Sequence, residues 1–171
     1  IETLLETDLD DAQLNRKFLE KANASCERLT DLLKDLDQIA SIESGNMQLE
    51  VSRFDVVELV KQTIEMLENQ ASERNITLRL GQAAEKPIWV MADRKRIQQV
   101  FINLLMNSVV YGKDGGETRM RFYDMDDNVL IEIADDGLGI AMEHLPRIFE
   151  RFYHVDKSRS RNEGGSGLGL A

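Results

Sequence analysis

The stretch from residue 14 to residue 43 limits the possible folds more than any other, because its apolar residues recur at helical spacing throughout. Phe18, Ala22, Cys26, Leu29, Leu33, Leu36 and Ala40 follow one another at steps of four and three, with charged residues between them. At 3.6 residues per turn these side chains fall on one stripe. A lone helix has nowhere to bury such a stripe, so the pattern predicts a partner helix. Residues 1–7 (IETLLET) read as the end of a preceding helix, broken at Asp8-Leu9-Asp10-Asp11. Two helices still bury too little, so the expectation is a partial hairpin that dimerises into a four-helix bundle. An intramolecular hairpin packed on the rest of the chain is the alternative. Cys26, the single cysteine, excludes an internal disulfide and a multi-cysteine zinc site. Its place in the stripe predicts a small buried side chain.

Ser44-Gly45-Asn46 ends the long helix, and the pattern then turns to mixed helix and strand. Residues 48–54, 76–80 and 88–91 read as strands. Asp55 is placed to cap a helix carrying Val56, Leu59, Val60, Ile64 and Leu67. Asp93 is placed to cap another, running to about Tyr111. Residues 118–123 and 129–134 pair through an Asp-Asp-Asn turn. The fold class expected is therefore α+β: a helical segment over residues 1–45, then an α/β two-layer sandwich over residues 46–171 with helices on one face of a mixed sheet.

The 171-residue length suits one domain with a small appendage. No apolar run is long enough to cross a bilayer and no basic-then-apolar leader opens the chain. A formal net charge of −10 argues against non-specific nucleic-acid binding, which needs a basic face. Arg147, Arg151, Lys157, Arg159 and Arg161 nevertheless cluster near the C-terminus. A local basic cluster on an acidic chain suits a small anionic ligand.

Three motifs carry chemistry. On the helix from Asp93, Ile97, Val100, Phe101, Leu104, Leu105 and Ser108 form the face expected to pack on the sheet. Asn103, Asn107 and Tyr111 stack four apart on another face. Asparagine is a mediocre residue for a helix interior, so this face is either simply solvated or a source of neutral, hard oxygen ligands. Magnesium is held by one or two such protein oxygens together with phosphates and waters. The second motif, Ala134-Asp135-Asp136-Gly137-Leu138-Gly139-Ile140, follows a strand directly. It reads either as an ordinary Asp-Gly turn or as a tight turn against a flat ligand, its carboxylate accepting from an exocyclic amine such as that of adenine. The third, Gly164-Gly165-Ser166-Gly167-Leu168-Gly169-Leu170, is suited to offering backbone N–H groups to phosphate. It lacks the lysine of a P-loop, and it lies far from the first strand, where a dinucleotide fold would have its glycines.

The order of these motifs, with Phe149-Glu150-Arg151-Phe152-Tyr153-His154-Val155-Asp156-Lys157-Ser158 between the second and third, resembles the catalytic ATP-binding domain of bacterial sensor histidine kinases. Asn103 to Asn107 is similar to the family's N box and Asp135 to Gly139 to its first glycine box. Residues 149–158 are similar to its F box, and Gly165 to Gly169 to its second glycine box. Residues 1–43 resemble the dimerisation and histidine-phosphotransfer hairpin. The resemblance implies ATP and Mg²⁺ as ligands, with Asn107 on the metal and Asn103 and Tyr111 beside phosphates and sugar. It implies that Asp135 takes the adenine amine, that Gly137, Gly139 and Ile140 line the base, and that Gly165, Gly167, Leu168 and Gly169 lie at the phosphates. Lys157 and Arg159 would face the phosphate tail from a lid over about residues 150–166. Phe149 and Phe152 are expected to anchor that lid in the apolar core. Implied partners are a second copy of the chain and a response-regulator receiver domain, with no nucleic acid. The implied location is the cytoplasm, on a protein anchored in the bacterial inner membrane outside this chain.

The sequence departs from the family pattern in three places. The phosphoacceptor histidine belongs upstream of residue 1, and the two histidines present, His144 and His154, lie outside the hairpin. Val110 stands where a lysine usually precedes the N-box tyrosine, and His154 stands where an arginine commonly reaches the γ-phosphate. Two fewer cations weaken charge stabilisation in the transition state, which keeps a nucleotide-binding regulatory scaffold as an alternative. An ATPase of the same fold would need a glutamate to activate water where Asn103 stands.

Overall fold

The computed structural model describes residues 12–45, 47–81, 86–155 and 167–171. The expected helix end at residues 1–7 lies outside these. The chain divides into two compact units, Ile1–Met47 and Gln48–Ala171. No helix among the described residues is long and apolar enough to cross a membrane.

In the first unit, α1 runs from Ala12 to Glu43 as one uninterrupted helix. Pairs one turn apart, such as Arg16–Glu20 and Asn23–Glu27, line its polar side. Its apolar stripe is uncovered: Leu29 and Leu33 are 61% and 63% exposed. Cys26, expected to be buried, is exposed as well, because α1 meets no apolar surface there among the described residues of its own unit.

The second unit runs β1 (Val51–Asp55), α2 (Val56–Glu73), β2 (Thr77–Leu80), β3 (Trp89–Asp93), α3 (Arg94–Tyr111), β4 (Glu117–Met125) and β5 (Asn128–Asp135), then a single 3₁₀ turn at Leu145–Arg147. Among the described residues the strands form two sheets, one of two strands and one of three. β1 pairs with β3 antiparallel, and β2 runs parallel to β4, which in turn pairs antiparallel with β5. The β4–β5 hairpin turns at Asp126-Asp127, with Met125 opposite Asn128 and Asp126 at φ +61°, a conformation that Asp tolerates better than most residues.

Two aspartates fix both helix starts. Asp55 Oδ1 accepts from the Val57 N–H and from the Ile88 N–H, both at 3.0 Å, joining the start of α2 to the segment before β3. Asp93 Oδ1 accepts from Lys95 and Arg96 at 3.1 and 3.2 Å, and its Oδ2 accepts from Glu50 at 3.0 Å. The Glu50 N–H, ahead of the two helix N–H groups, holds the Asp93 carboxyl below the usual carboxylate range.

The core lies between the helices and the strands. Val56, Val57, Leu59, Val60 and Leu67 of α2 and Phe101 and Leu105 of α3 pack with Phe54, Met120 and Phe122. Val100, expected on this face, is 50% exposed, because it continues the line of Asn103, Asn107 and Tyr111 rather than that of Phe101 and Leu105. Ser108 joins the core through a polar pair: the Thr118 hydroxyl donates to Ser108 Oγ at 2.9 Å, which donates to the Leu105 carbonyl at 2.8 Å. Both side chains are buried and satisfied, so α3 is tied to β4 where it meets the strand.

Candidate functional site

Helix α3 brings the three motifs together. Asn103 is half-buried and occupied at both ends of its carboxamide: Gln99 Nε2 donates to its Oδ1 at 3.0 Å, and its Nδ2 donates to the Gly169 carbonyl at 3.0 Å. One turn on, the half-buried Asn107 carboxamide makes no hydrogen bond to another described residue. At the C-terminal turn, the Tyr111 carbonyl accepts from the Leu138 N–H at 3.2 Å.

That last bond seats the turn after β5. Asp135 is exposed, and its Oδ1 accepts from the Gly137 N–H at 2.9 Å, closing an Asx turn. Gly137 is required by the protein itself. A Cβ there would lie 2.6 Å from the Tyr111 carbonyl oxygen and 2.7 Å from Asp135 Oδ1. Gly139 differs, with open space where its side chain would be, and Ile140 beside it is exposed. Of the two glycines expected to admit a ring, Gly137 is the one closed by a backbone contact and Gly139 the one left open.

Asp136, to which the sequence reading gave no role, is anchored more firmly than Asp135. Its Oδ1 accepts from the Glu117 N–H at 3.0 Å, and Lys113 Nζ lies 3.5 Å from its Oδ2. The Glu117 N–H first, and then Lys113, hold its carboxyl below the usual range. An acid directly after Asp135 and a lysine just past the helix end were the available signals.

The third motif is described from Gly167 onward; Lys157, Arg159 and Gly165 lie outside the described residues. The Gly167 carbonyl accepts from the Phe152 N–H at 2.8 Å, and Gly167 has φ +69°. A Cβ on Gly167 would come within 2.8 Å of both His154 Nε2 and Phe152 Cα, so the F-box segment lies directly against this glycine. Leu168 is 6% exposed and so anchors the motif by burial.

Phe149 and Phe152 are not core anchors. They are 66% and 55% exposed, in a stretch whose regular structure among the described residues is one short 3₁₀ turn with no buried residue of its own. A polar bracket organises this stretch instead. Tyr153 Oη and His144 Nδ1 are 2.7 Å apart, and the Arg147 guanidinium sits 4.2 Å from the Tyr153 ring centre. Arg147 also donates to both Glu150 oxygens, which lowers the Glu150 pKa. Arg147 is thereby committed to Glu150 and Tyr153 rather than offered to an anion.

Among the described residues, no group of three or more His, Cys, Asp or Glu side chains stands where it could hold a metal ion. A cation that takes one neutral protein oxygen and completes its shell with phosphate and water needs no such group. Asn107 supplies such an oxygen, and magnesium is such a cation.

Known proteins resemble this chain in both sequence and fold. Residues 92–171 match the family described as histidine kinase-, DNA gyrase B-, and HSP90-like ATPase. The circadian input-output histidine kinase CikA of Synechococcus elongatus is 32% identical over 157 residues, covering 91% of this chain and 21% of that protein. The crystal structure of full-length ShkA in complex with AMPPNP superposes with a TM-score of 0.78 at 27% identity, covering 98% of this chain and 34% of that one. That of the histidine kinase ThkA in complex with the response regulator protein TrrA gives 0.67 at 26% identity, covering 85% and 42%. The chain spans less than half the length of the curated relatives it matches.

Proposed function

Since residues 92–171 belong to the histidine kinase-, gyrase- and HSP90-like ATPase family and the chain is homologous to sensor histidine kinases, we propose that it is the nucleotide-binding core of one. It binds Mg-ATP for transfer of the γ-phosphoryl group to a histidine on a dimerisation helix, and from there to an aspartate of a response regulator. One observation carries this reading. A single helix holds the Asp135–Gly139 turn through the Tyr111 carbonyl and Gly169 through Asn103, and leaves the Asn107 carboxamide free of described partners between them.

In this reading Asp135 uses the carboxylate oxygen left over from the Asx turn to accept the adenine amine, and Gly139 and Ile140 border the ring. Tyr111 faces the sugar. Asn107 gives its Oδ1 to Mg²⁺, which neutralises phosphate charge when bound there. Gly167 and Gly169, with Lys157, Arg159 and Gly165, serve the phosphate end, and Leu168 holds that segment down. Asn103 acts by fixing Gly169. The His154 ring stands beside Gly167 at that end. The nucleophile is the acceptor histidine, so a water-activating carboxylate is not needed, and Asn103 stands where one would be.

A second copy of the chain covers the Leu29–Leu33 stripe, and the response regulator is the downstream partner, as the ThkA–TrrA complex shows for that kinase. The core works on the cytoplasmic side of a membrane-anchored protein. Titration calorimetry with ATP, with and without Mg²⁺, tests the binding. Labelled γ-phosphate, with the upstream histidine segment restored, tests the transfer. ATP binding without label on the histidine would favour the regulatory-scaffold reading, which the missing cation at Val110 supports.

A further inference from the structure

We propose that Asp136 is a positioning residue that locks the base-binding turn to the α3–β4 junction, so that Asp135 meets its ligand in a preset orientation; this rests on the nucleotide reading above. Two adjacent aspartates divide the work. Asp135 is exposed and holds only its own turn, through the Gly137 N–H. Asp136 reaches outward to two other segments: its Oδ1 takes the first N–H of β4, at Glu117, and its Oδ2 lies against Lys113 just past the end of α3.

Those two segments are fixed to the sheet independently. The Gly116 N–H donates to the Lys113 carbonyl at 2.8 Å, closing the α3–β4 turn, and the Thr77 N–H donates to the Gly116 carbonyl at 2.9 Å, joining it to β2. Asp136 thus fastens the motif to a closed turn that β2 holds. On the far side of Gly137, the Leu138 N–H is held by the Tyr111 carbonyl. The ligand-facing turn is therefore clamped on both flanks, by a side chain before Gly137 and by the backbone after it.

The two contacts of Asp136 differ in weight. Lys113 and Asp136 are both about half exposed, and surface ion pairs contribute little. The Glu117 N–H is the first of β4 and is held in direction by the strand, so its bond to Oδ1 orients Asp136 whether or not the acceptor is charged. The Glu117 contact should therefore dominate, and any group that keeps an acceptor oxygen at Oδ1 should largely preserve the turn. Asp136→Asn keeps that oxygen, Asp136→Ala removes it, and Lys113→Met removes the ion pair alone.

The test is calorimetric titration of wild-type and variant chains with Mg-ADP and Mg-GDP, alongside thermal melts. We expect D136A to lose about tenfold or more in ADP affinity and to narrow the preference for ADP over GDP, the loss of an oriented acceptor being of that order. We expect D136N to stay within about threefold of wild type on both measures, and K113M within about twofold. A purely structural role would lower the melting temperature and leave the ADP-to-GDP ratio of the folded protein unchanged. If D136A does not fold, Asp136→Glu decides instead, since it keeps the charge but is too long for the Glu117 N–H at the present spacing; wild-type affinity and selectivity in D136E would overturn the assignment. So would a folded D136A with wild-type affinity and ratio. Wild-type protein that binds no ADP overturns the nucleotide reading itself, which separates the two failures.

Discussion

Asn103 donates its carboxamide N–H to the Gly169 carbonyl across 66 residues of sequence, while Asn107, one turn along the same helix, gives its carboxamide to no described residue. Two asparagines that look equivalent in the sequence are therefore expected to fail differently. Asn107→Ala should abolish the gain in ATP affinity that Mg²⁺ confers and leave metal-free ATP binding nearly unchanged. Asn103→Ala should weaken ATP binding about five- to tenfold with and without the metal, as suits the loss of one hydrogen bond. Calorimetry in Mg²⁺ and in EDTA distinguishes the two patterns; an identical response of both variants would mean that the roles are misassigned.

Asp135→Asn retains an oxygen for the Gly137 N–H, so the turn should survive while a charged acceptor for the base amine is lost. The expected result is at least a tenfold loss of ATP affinity, since charge-assisted hydrogen bonds are the stronger kind, with an unchanged melting temperature. Unchanged affinity would show that the base sits elsewhere.

Gly167→Ala introduces a methyl group against the Phe152 backbone at a positive φ. The segment should shift, because neither the backbone contact nor the conformation suits alanine. Nucleotide affinity should fall several-fold while the β4–β5 hairpin is unaffected, a contrast that amide chemical shifts in the two regions would reveal.

Asp93 has a lowered carboxyl pKa in the folded chain, with the Glu50 N–H as the leading cause. A carboxyl of this kind adds stability that is present above its unfolded pKa and is lost as pH falls through the lower folded one. Wild-type protein should therefore lose this contribution below about pH 4. Asp93→Ala should melt about 5 °C lower at neutral pH, with a smaller difference from wild type in acid. Melting curves taken from pH 7 to pH 3 check the sign; a gap that widens in acid would contradict it.

The residue pattern showed the elements well where local chemistry decides them. Asp55 and Asp93 announced both helix starts, and Asp126-Asp127 announced the hairpin turn. It misplaced what depends on distant packing. Val100 looks like a core residue until the helix is rotated so that Phe101 and Leu105 face the strands. Phe149 and Phe152 look buried by residue type, but the stretch around them is organised by Tyr153, His144 and Arg147 instead. Asp136 went unassigned because its partners, Glu117 and Lys113, are distant in sequence. The division between Asn103 and Asn107 was equally hidden, since it depends on where Gly169 arrives from the far end of the chain.

Helix α3 also works as a gauge. Tyr111, Asn107 and Asn103 stand four residues apart, so each step along the axis is about 6 Å. Leu138 is fastened at one end of this scale and Gly169 at the other, on a helix clamped to the sheet through Ser108 and Thr118. In the proposed reading, the distance from base end to phosphate end is thus set by a rigid rod rather than by two independent loops. On that reading a ligand would be measured for length as well as for chemistry, and one that is a phosphate too short would satisfy the Leu138 end without filling the span to Gly169.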